Sequence, residues 1–135
     1  MKTRLLPFIL VLVLLVLVFV GCTLLPVSIE DRIALFLSDV NNANWSTIYL
    51  NFHPTLTQDY AAISSVDWAL LFDTAYAPYS IVGLNTSDPR NVTGNMDSSN
   101  AAWGGPYAVA FRMAQYEEDW MIEEMDFDVY VPLIK

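Results

Sequence analysis

"YAVAFRMAQYEEDWMIEEMDF", Tyr107 to Phe127, reads as two strands laid back to back. In its first half Tyr107, Val109, Phe111 and Met113 alternate with Ala108, Ala110, Arg112 and Ala114. That period of two puts one set on a buried face and the other on an outer face. "YEED" (Tyr116 to Asp119) is a tight connection, and "WMIEEMDFDVYV" returns from Trp120 as the next strand. Working backwards, "WGGP" (Trp103 to Pro106) is a turn, and "NVTGNM" is a weaker strand whose Gly94 marks a bulge. "YSIVGLN" (Tyr79 to Asn85) is a strand bounded by Pro78 and by the turn-rich "TSDPRN". The second half of the chain is therefore an antiparallel meander.

Upstream the period changes. Ser28 is placed to cap a helix, with Asp31 three residues on as the acidic half of a capping-box-like pair. Ile29, Ile33, Phe36, Leu37 and Val40 then form one apolar stripe at helical spacing. "NNAN" (Asn41 to Asn44) breaks that helix. A second, shorter helix is expected to carry Trp45, Ile48, Tyr49 and Phe52 on one face. "HPT" at His53 closes it, because the residue before a proline avoids helical geometry. A third starts near Ser64 or Ser65 and presents Trp68, Leu71 and Phe72. Helices first and antiparallel strands after make an α+β class: N-terminal helices packed on a curved antiparallel sheet. The expected core between the two layers is Trp45, Trp68, Phe111, Trp120 and Ile122.

The N-terminus gives the chain an address. Lys2 and Arg4 precede "FILVLVLLVLVFV" (Phe8 to Val20) and the small Gly21, the three-part layout of a secretory signal peptide. As a helix that apolar run spans about 20 Å, short of a ~30 Å hydrocarbon core. The alternative is an uncleaved single-pass anchor, since Leu5 to Leu25 is an uncharged stretch long enough to span. Either way the positive charges stay inside and the remainder is exported.

Cys22, the only cysteine, separates the two readings. "FVGC" resembles the lipobox of bacterial lipoproteins, with Phe19 where that family most often has leucine. The resemblance implies cleavage between Gly21 and Cys22, a diacylglycerol-modified and palmitoylated Cys22, and an envelope protein held by its lipid. Two or more acyl chains hold a protein stably where one does so only marginally. Thr23 after the cysteine, instead of Asp, implies the outer membrane if the host has one. The resulting organisation is a signal peptide at 1–21, a lipidated tether at 22–27 and a single α+β domain at 28–135. A single cysteine also leaves the fold without an internal disulfide, so the core alone must hold it. The sequons at Asn44, Asn85 and Asn91 read as accidents of an Asn- and Ser/Thr-rich bacterial chain.

Of 135 residues, the 114 after Gly21 carry four basic and all fifteen acidic side chains, a formal charge of −11. Nucleic acid is excluded as a partner, because phosphate binding draws on Lys and Arg. Electrostatic adhesion to an anionic bilayer is excluded for the same reason.

"DVNNANWSTIYLNFHP" and "FRMAQYEEDWMIEEMDF" together resemble the entry helices and final hairpin of the nuclear transport factor 2-like superfamily. That resemblance implies a cone-shaped roll, found in ketosteroid isomerases, polyketide cyclases and many small exported proteins. Its enzymes work inside the cone with a carboxylate base and a Tyr or Asp oxyanion donor. No acid of this chain maps onto a family catalytic position, so no catalytic residue is assigned. The superfamily's habit of pairing through the sheet implies a homodimer, or an envelope protein partner, on the flat face made by Ala108, Ala110 and Ala114.

Direct chemical signals are sparse. His53 has no second histidine and no thiol beyond the anchor cysteine, which excludes a tetrahedral zinc site. No Gly-x-Ser-x-Gly elbow or phosphate-cradling glycine loop is present. The acidic run Glu117, Glu118, Asp119, Glu123, Glu124, Asp126 and Asp128 lacks the glycine and ligand spacing of a calcium loop and reads as a solvated hairpin. Four Trp and seven Tyr are the strongest hint of a small-ligand pocket. Trp45, Tyr49, Trp68, Tyr107, Phe111 and Trp120 are the candidate pocket or core aromatics. The expected function is a non-catalytic, lipid-anchored envelope protein with a binding or assembly role and no cofactor or metal. Its rivals are a small isomerase- or cyclase-like enzyme using a pocket carboxylate, and an uncleaved membrane-anchored structural module.

Overall fold

Ser28 opens the first element as its sequence requires. In a computed structural model that describes residues 25–56 and 63–127, its hydroxyl oxygen accepts the Asp31 amide at 3.1 Å. The same hydroxyl donates to the Asp31 carboxylate at 2.9 Å. The leader, Gly21, Cys22, the first tether residues and the chain past Phe127 lie outside the described residues. Helix α1 runs Ile29–Asn41 and buries Ile29, Arg32, Ile33, Phe36 and Val40. Spacings of three and four keep these five on one face. The asparagine break stands where expected: Asn42 caps the helix and Ala43 takes a left-handed φ of 54°.

The expected second helix is a correction. Only Ile48–Asn51 is helical, as one turn of 3-10 helix. Thr47, Leu50 and Phe52 each donate to a carbonyl three residues back. The Thr47 hydroxyl donates to the Asn44 carbonyl and Pro54 stops propagation, so the four-residue bond from Ile48 to Asn44 does not extend into an α-helix. Phe52 then turns extended and bridges Ile122 in parallel. Helix α2, Ser65–Leu71, starts where expected, with Ser64 as its N-cap. It buries Trp68, and its C-cap Phe72 is buried too, whereas Leu71 faces out.

The meander is β1 (Tyr79–Asn85), β2 (Val92–Ser98), β3 (Tyr107–Tyr116) and β4 (Asp119–Phe127). It forms one open antiparallel sheet in the order β1-β2-β3-β4. The β3–β4 hairpin turns at Glu117 and Glu118, with Glu117 at φ 57°. A second correction concerns the bulge. It lies in β1 between Val82 and Asn85, where Gly83 has φ +67°, and not at Gly94. Gly94 serves close approach instead: a Cβ there would stand 2.5 Å from Ile81 Cγ2.

Helix α1 spans the sheet from β4 to β1. At its start the Arg32 Nε donates to the Trp120 carbonyl at 2.8 Å. At its end the Asn41 carboxamide takes both backbone groups of Tyr79, accepting its N–H at 2.7 Å and donating to its C=O at 2.9 Å. That side chain stands in for a neighbouring strand at the free β1 edge. Ahead of the helix, Val27 is latched to β4: its N–H meets Asp119 Oδ1 at 2.8 Å, and its C=O accepts the Trp120 N–H at 3.0 Å.

Rings fill the space between the layers. Phe36 is fully buried and packs edge-on against Phe52, Phe72 and Phe111, with centroids at 6.0, 5.8 and 6.3 Å. Trp68 stacks between Phe52 and Phe72. Of the expected core, Trp68, Phe111 and Ile122 are at its centre, while Trp45 and Trp120 are half-buried at its margin. Two helices on a four-stranded antiparallel sheet confirm the α+β class.

Candidate functional site on the outer face of the sheet

Alternation along β3 divides two surfaces. Val109, Phe111 and Met113 point to the helices and are buried; Ala108 and Arg112 are exposed on the other side, with Ala110 and Ala114 partly covered. The register lines up Thr93, Ala110 and Asp126 across three strands, with Asn95 opposite Ala108 and Arg112 opposite Glu124. Small side chains in that row leave a recess of about 370 Å³, floored by Thr93, Gly94, Ala108 and Ala110 and walled by Asp126. It shares Ala110 and Asp126 with a second recess of about 170 Å³ that reaches Arg90, Asn91, Arg112 and Glu124.

The electrostatics of this surface are acidic. The Arg112 Nε lies 3.2 Å from Glu123, and its Nη2 pairs with Glu124, so two carboxylates face one guanidinium. The bulge between Arg112 and Met113 brings both glutamates within its reach. Arg90 pairs with Asp88 at 3.6 Å, leaving Asp126 as an additional carboxylate beside the small-residue floor. Such a surface suits a flat partner or a cationic group, and it lacks the depth to enclose a small molecule. Among the described residues no three His, Cys, Asp or Glu side chains are arranged to hold a metal ion.

The six aromatic candidates are not drawn into one pocket. Trp68 and Phe111 are core, and Trp45 and Trp120 flank it. Tyr49 is half-buried on the 3-10 turn. Tyr107 belongs to a corner that the sequence reading did not single out. There Trp103 is surrounded by Tyr76, Tyr79 and Tyr107 at 5.5, 5.1 and 5.3 Å. Among the described residues the buried Trp103 Nε1 has no hydrogen-bond acceptor. Gly105 packs so closely that a Cβ would stand 2.4 Å from that nitrogen. Tyr79 donates to the Asp73 carbonyl at 2.6 Å. Burial, with the charges of Asp73 and Tyr76, pushes its phenol up to about 12.

Arg32 was also missed. Burial lowers its pKa from the ordinary arginine range, and nearby Asp119 opposes that fall. Its Nη1 makes a long 3.5 Å bond to buried Asn51, whose amide donates to Asp39 at 2.8 Å. The spacing Ile29, Arg32, Ile33, Phe36 could have found it, because arginine there falls on the stripe. His53 sits, as expected, in a loop, 2.8 Å from the Thr55 hydroxyl and edge-on to Tyr116. Among the described residues of the acidic hairpin Glu117, Glu118, Glu124 and Asp126 are exposed, Asp119 and Glu123 are half-buried, and Asp119, Glu123 and Glu124 take the partners described.

No helix among the described residues is long and apolar enough to cross a membrane. Comparison with known proteins gave no matching family, and no curated protein or solved structure matched the chain.

Proposed function

We propose that this chain is an exported, lipid-anchored envelope protein of the bacterial lipoprotein type, acting by binding or assembly and not by catalysis. Its domain reads as a nuclear transport factor 2-like roll, a reading supported by entry helices laid over an antiparallel meander that ends in the Trp120 hairpin. One observation carries the functional choice. Between the helices and the sheet, where such a roll would hold a substrate, Phe36, Phe52, Trp68, Phe72 and Phe111 are packed, each under 5% exposed. The described recesses lie on the opposite face of the sheet, at Ala108, Ala110 and Asp126. That face is where a second copy or an envelope partner docks. The basic n-region, apolar run and Gly21-Cys22 supply the address.

Expression of wild type and Cys22→Ala in a bacterial host, followed by mass analysis of the membrane fraction, tests the anchor. Wild type is expected to lose Met1 to Gly21 and gain acyl mass; Cys22→Ala is expected to do neither. An intact, unacylated N-terminus in both replaces this reading with the uncleaved anchor.

A further inference from the structure

The Trp103 corner holds a donor that the described residues do not use. Its Nε1 is buried with no acceptor among them, and native folds rarely leave a buried N–H unpaired without a use for it. The surrounding tyrosine rings offer at most their π faces, which are second-order acceptors. A second polar atom beside it is nearly as idle. The Tyr107 hydroxyl reaches the Trp103 carbonyl at 3.4 Å, beyond the usual range of about 2.5–3.0 Å for a hydroxyl donor. Both atoms lie under one short strap. A Cβ on Gly105 would stand 2.4 Å from the indole nitrogen, and one on Gly104 would stand 3.2 Å from the Tyr107 hydroxyl. The strap is fixed at its two ends. On one side the Trp103 N–H donates to the Asn100 carbonyl at 3.0 Å, and the Asn100 amide donates to the Ala75 carbonyl at 2.8 Å. On the other, Tyr107 enters β3. Between them no hydrogen bond among the described residues holds Gly104 or Gly105, and Gly104 has a φ of +75°.

We propose that the Gly104–Gly105 strap is the lid of a ligand site, opening to let a neutral sugar ring lie against the aromatic corner and accept a hydrogen bond from Trp103 Nε1. A strap without backbone bonds opens locally, leaving the core shut. The chemistry of the corner narrows the ligand class. An N–H aimed at the ligand calls for an acceptor oxygen and repels a cation, so these rings are not an ammonium cage. An anion would need a positive partner. Residues 73–79 and 98–107, which build the corner, contain one charged side chain, and it is the acidic Asp73. What remains is an uncharged molecule with an apolar face and oxygens at its rim. A sugar ring has both: C–H groups to lie on the aromatic rings, and hydroxyl oxygens for Nε1 and for the Tyr107 hydroxyl. Tyr79 contributes its ring alone, because its hydroxyl is committed to the Asp73 carbonyl at 2.6 Å. The inference does not depend on acylation of Cys22.

The test follows the indole N–H signals of the full chain by NMR, in nanodiscs of phosphatidylethanolamine and phosphatidylglycerol, which bring neither sugar nor quaternary ammonium. Trp103→Phe, which keeps a ring and loses the N–H, assigns the signal. The Trp103 indole proton is expected to exchange with solvent about ten-fold faster than that of core Trp68, because the strap opens without the core. Exchange as slow as that of Trp68 overturns the proposal: the strap then stays shut, or another part of the chain supplies the acceptor. Two neutral trisaccharides, chitotriose and maltotriose, are the probes. At least one is expected to shift the Trp103 signal saturably and leave that of Trp68 in place, whereas tetramethylammonium and acetate leave both unmoved. No response to either sugar, or an equal response to tetramethylammonium or acetate, overturns the proposal. Trp103→Phe is expected to weaken binding of the responding sugar about ten-fold by calorimetry, with the unfolding midpoint unchanged or raised by removal of an unpaired donor. Unchanged affinity overturns the proposal. Should Trp103→Phe fail to fold, Tyr107→Phe makes the same comparison by losing a hydroxyl and keeping its ring. Binding several-fold weaker than wild type is expected there, and equal binding overturns the proposal.

Discussion

The two faces of β3 differ by a shift of one residue and by almost everything else. Val109, Phe111 and Met113 are at most 3% exposed among rings, while Ala108, Ala110 and Arg112 floor an open, acidic surface. The inner face holds the chain together with no internal disulfide, since the chain has one cysteine; the outer one sets alanines beside charged side chains. A small domain without a disulfide needs its largest side chains for cohesion.

That division is open to attack in order of expected effect. Phe36→Ala removes the ring shared by three neighbours and is expected to cost about 3–5 kcal/mol in denaturant unfolding. A loss below about 1 kcal/mol means the inner face is not the packed core described. Gly94→Ala drives a Cβ into Ile81 and is expected to cost about 1–3 kcal/mol. Ile81→Ala in the same chain is expected to recover part of that loss, and strict additivity of the two would show that the clash is not the cause.

Tyr79 gives a pH-dependent test of the inner face. Its phenol is raised to about 12, so the folded state holds that proton more tightly than the unfolded one, whose value lies near 10. The resulting stability is complete below pH 10 and is lost as pH rises towards 12. Unfolding midpoints followed across that window are expected to fall in wild type and to fall less in Tyr79→Phe. Equal slopes would place the alkaline loss elsewhere. Ala108→Lys, on the outer face, is expected to change stability by no more than about 0.5 kcal/mol. By light scattering it is expected to disrupt any dimer that wild type forms through the sheet.

Legibility in the sequence followed how local each determinant is. The Ser28 cap, the α1 stripe and the alternation of β3 depend on near neighbours, and they stand where the spacing puts them. The short helix at Trp45 shared the same apolar periodicity, but its eight residues lie between an asparagine break and Pro54, too few to nucleate an α-helix. Gly83 and Gly94 are indistinguishable as glycines within strands. Only the register with β2 shows that one bulges and the other makes room for Ile81. The Trp103 corner joins two distant stretches, Tyr76 with Tyr79 and Trp103 with Tyr107, so no local pattern announces it. The outer recess was half legible: the alanines were evident, whereas the approach of Asp126 depends on β3–β4 pairing. The apolar run and Cys22 lie outside the described residues, so the proposed leader and anchor rest on the sequence alone.

The latch at Val27 has a mechanical corollary. Two backbone groups of one residue hook the N-terminal segment to the start of β4, immediately ahead of α1. Under the proposed anchoring, tension from the membrane side would meet those two bonds before any hydrogen bond of α1. They would slip first and pay out slack, so a tug on the proposed lipid-bearing end would be absorbed at the doorway while the folded body stays shut.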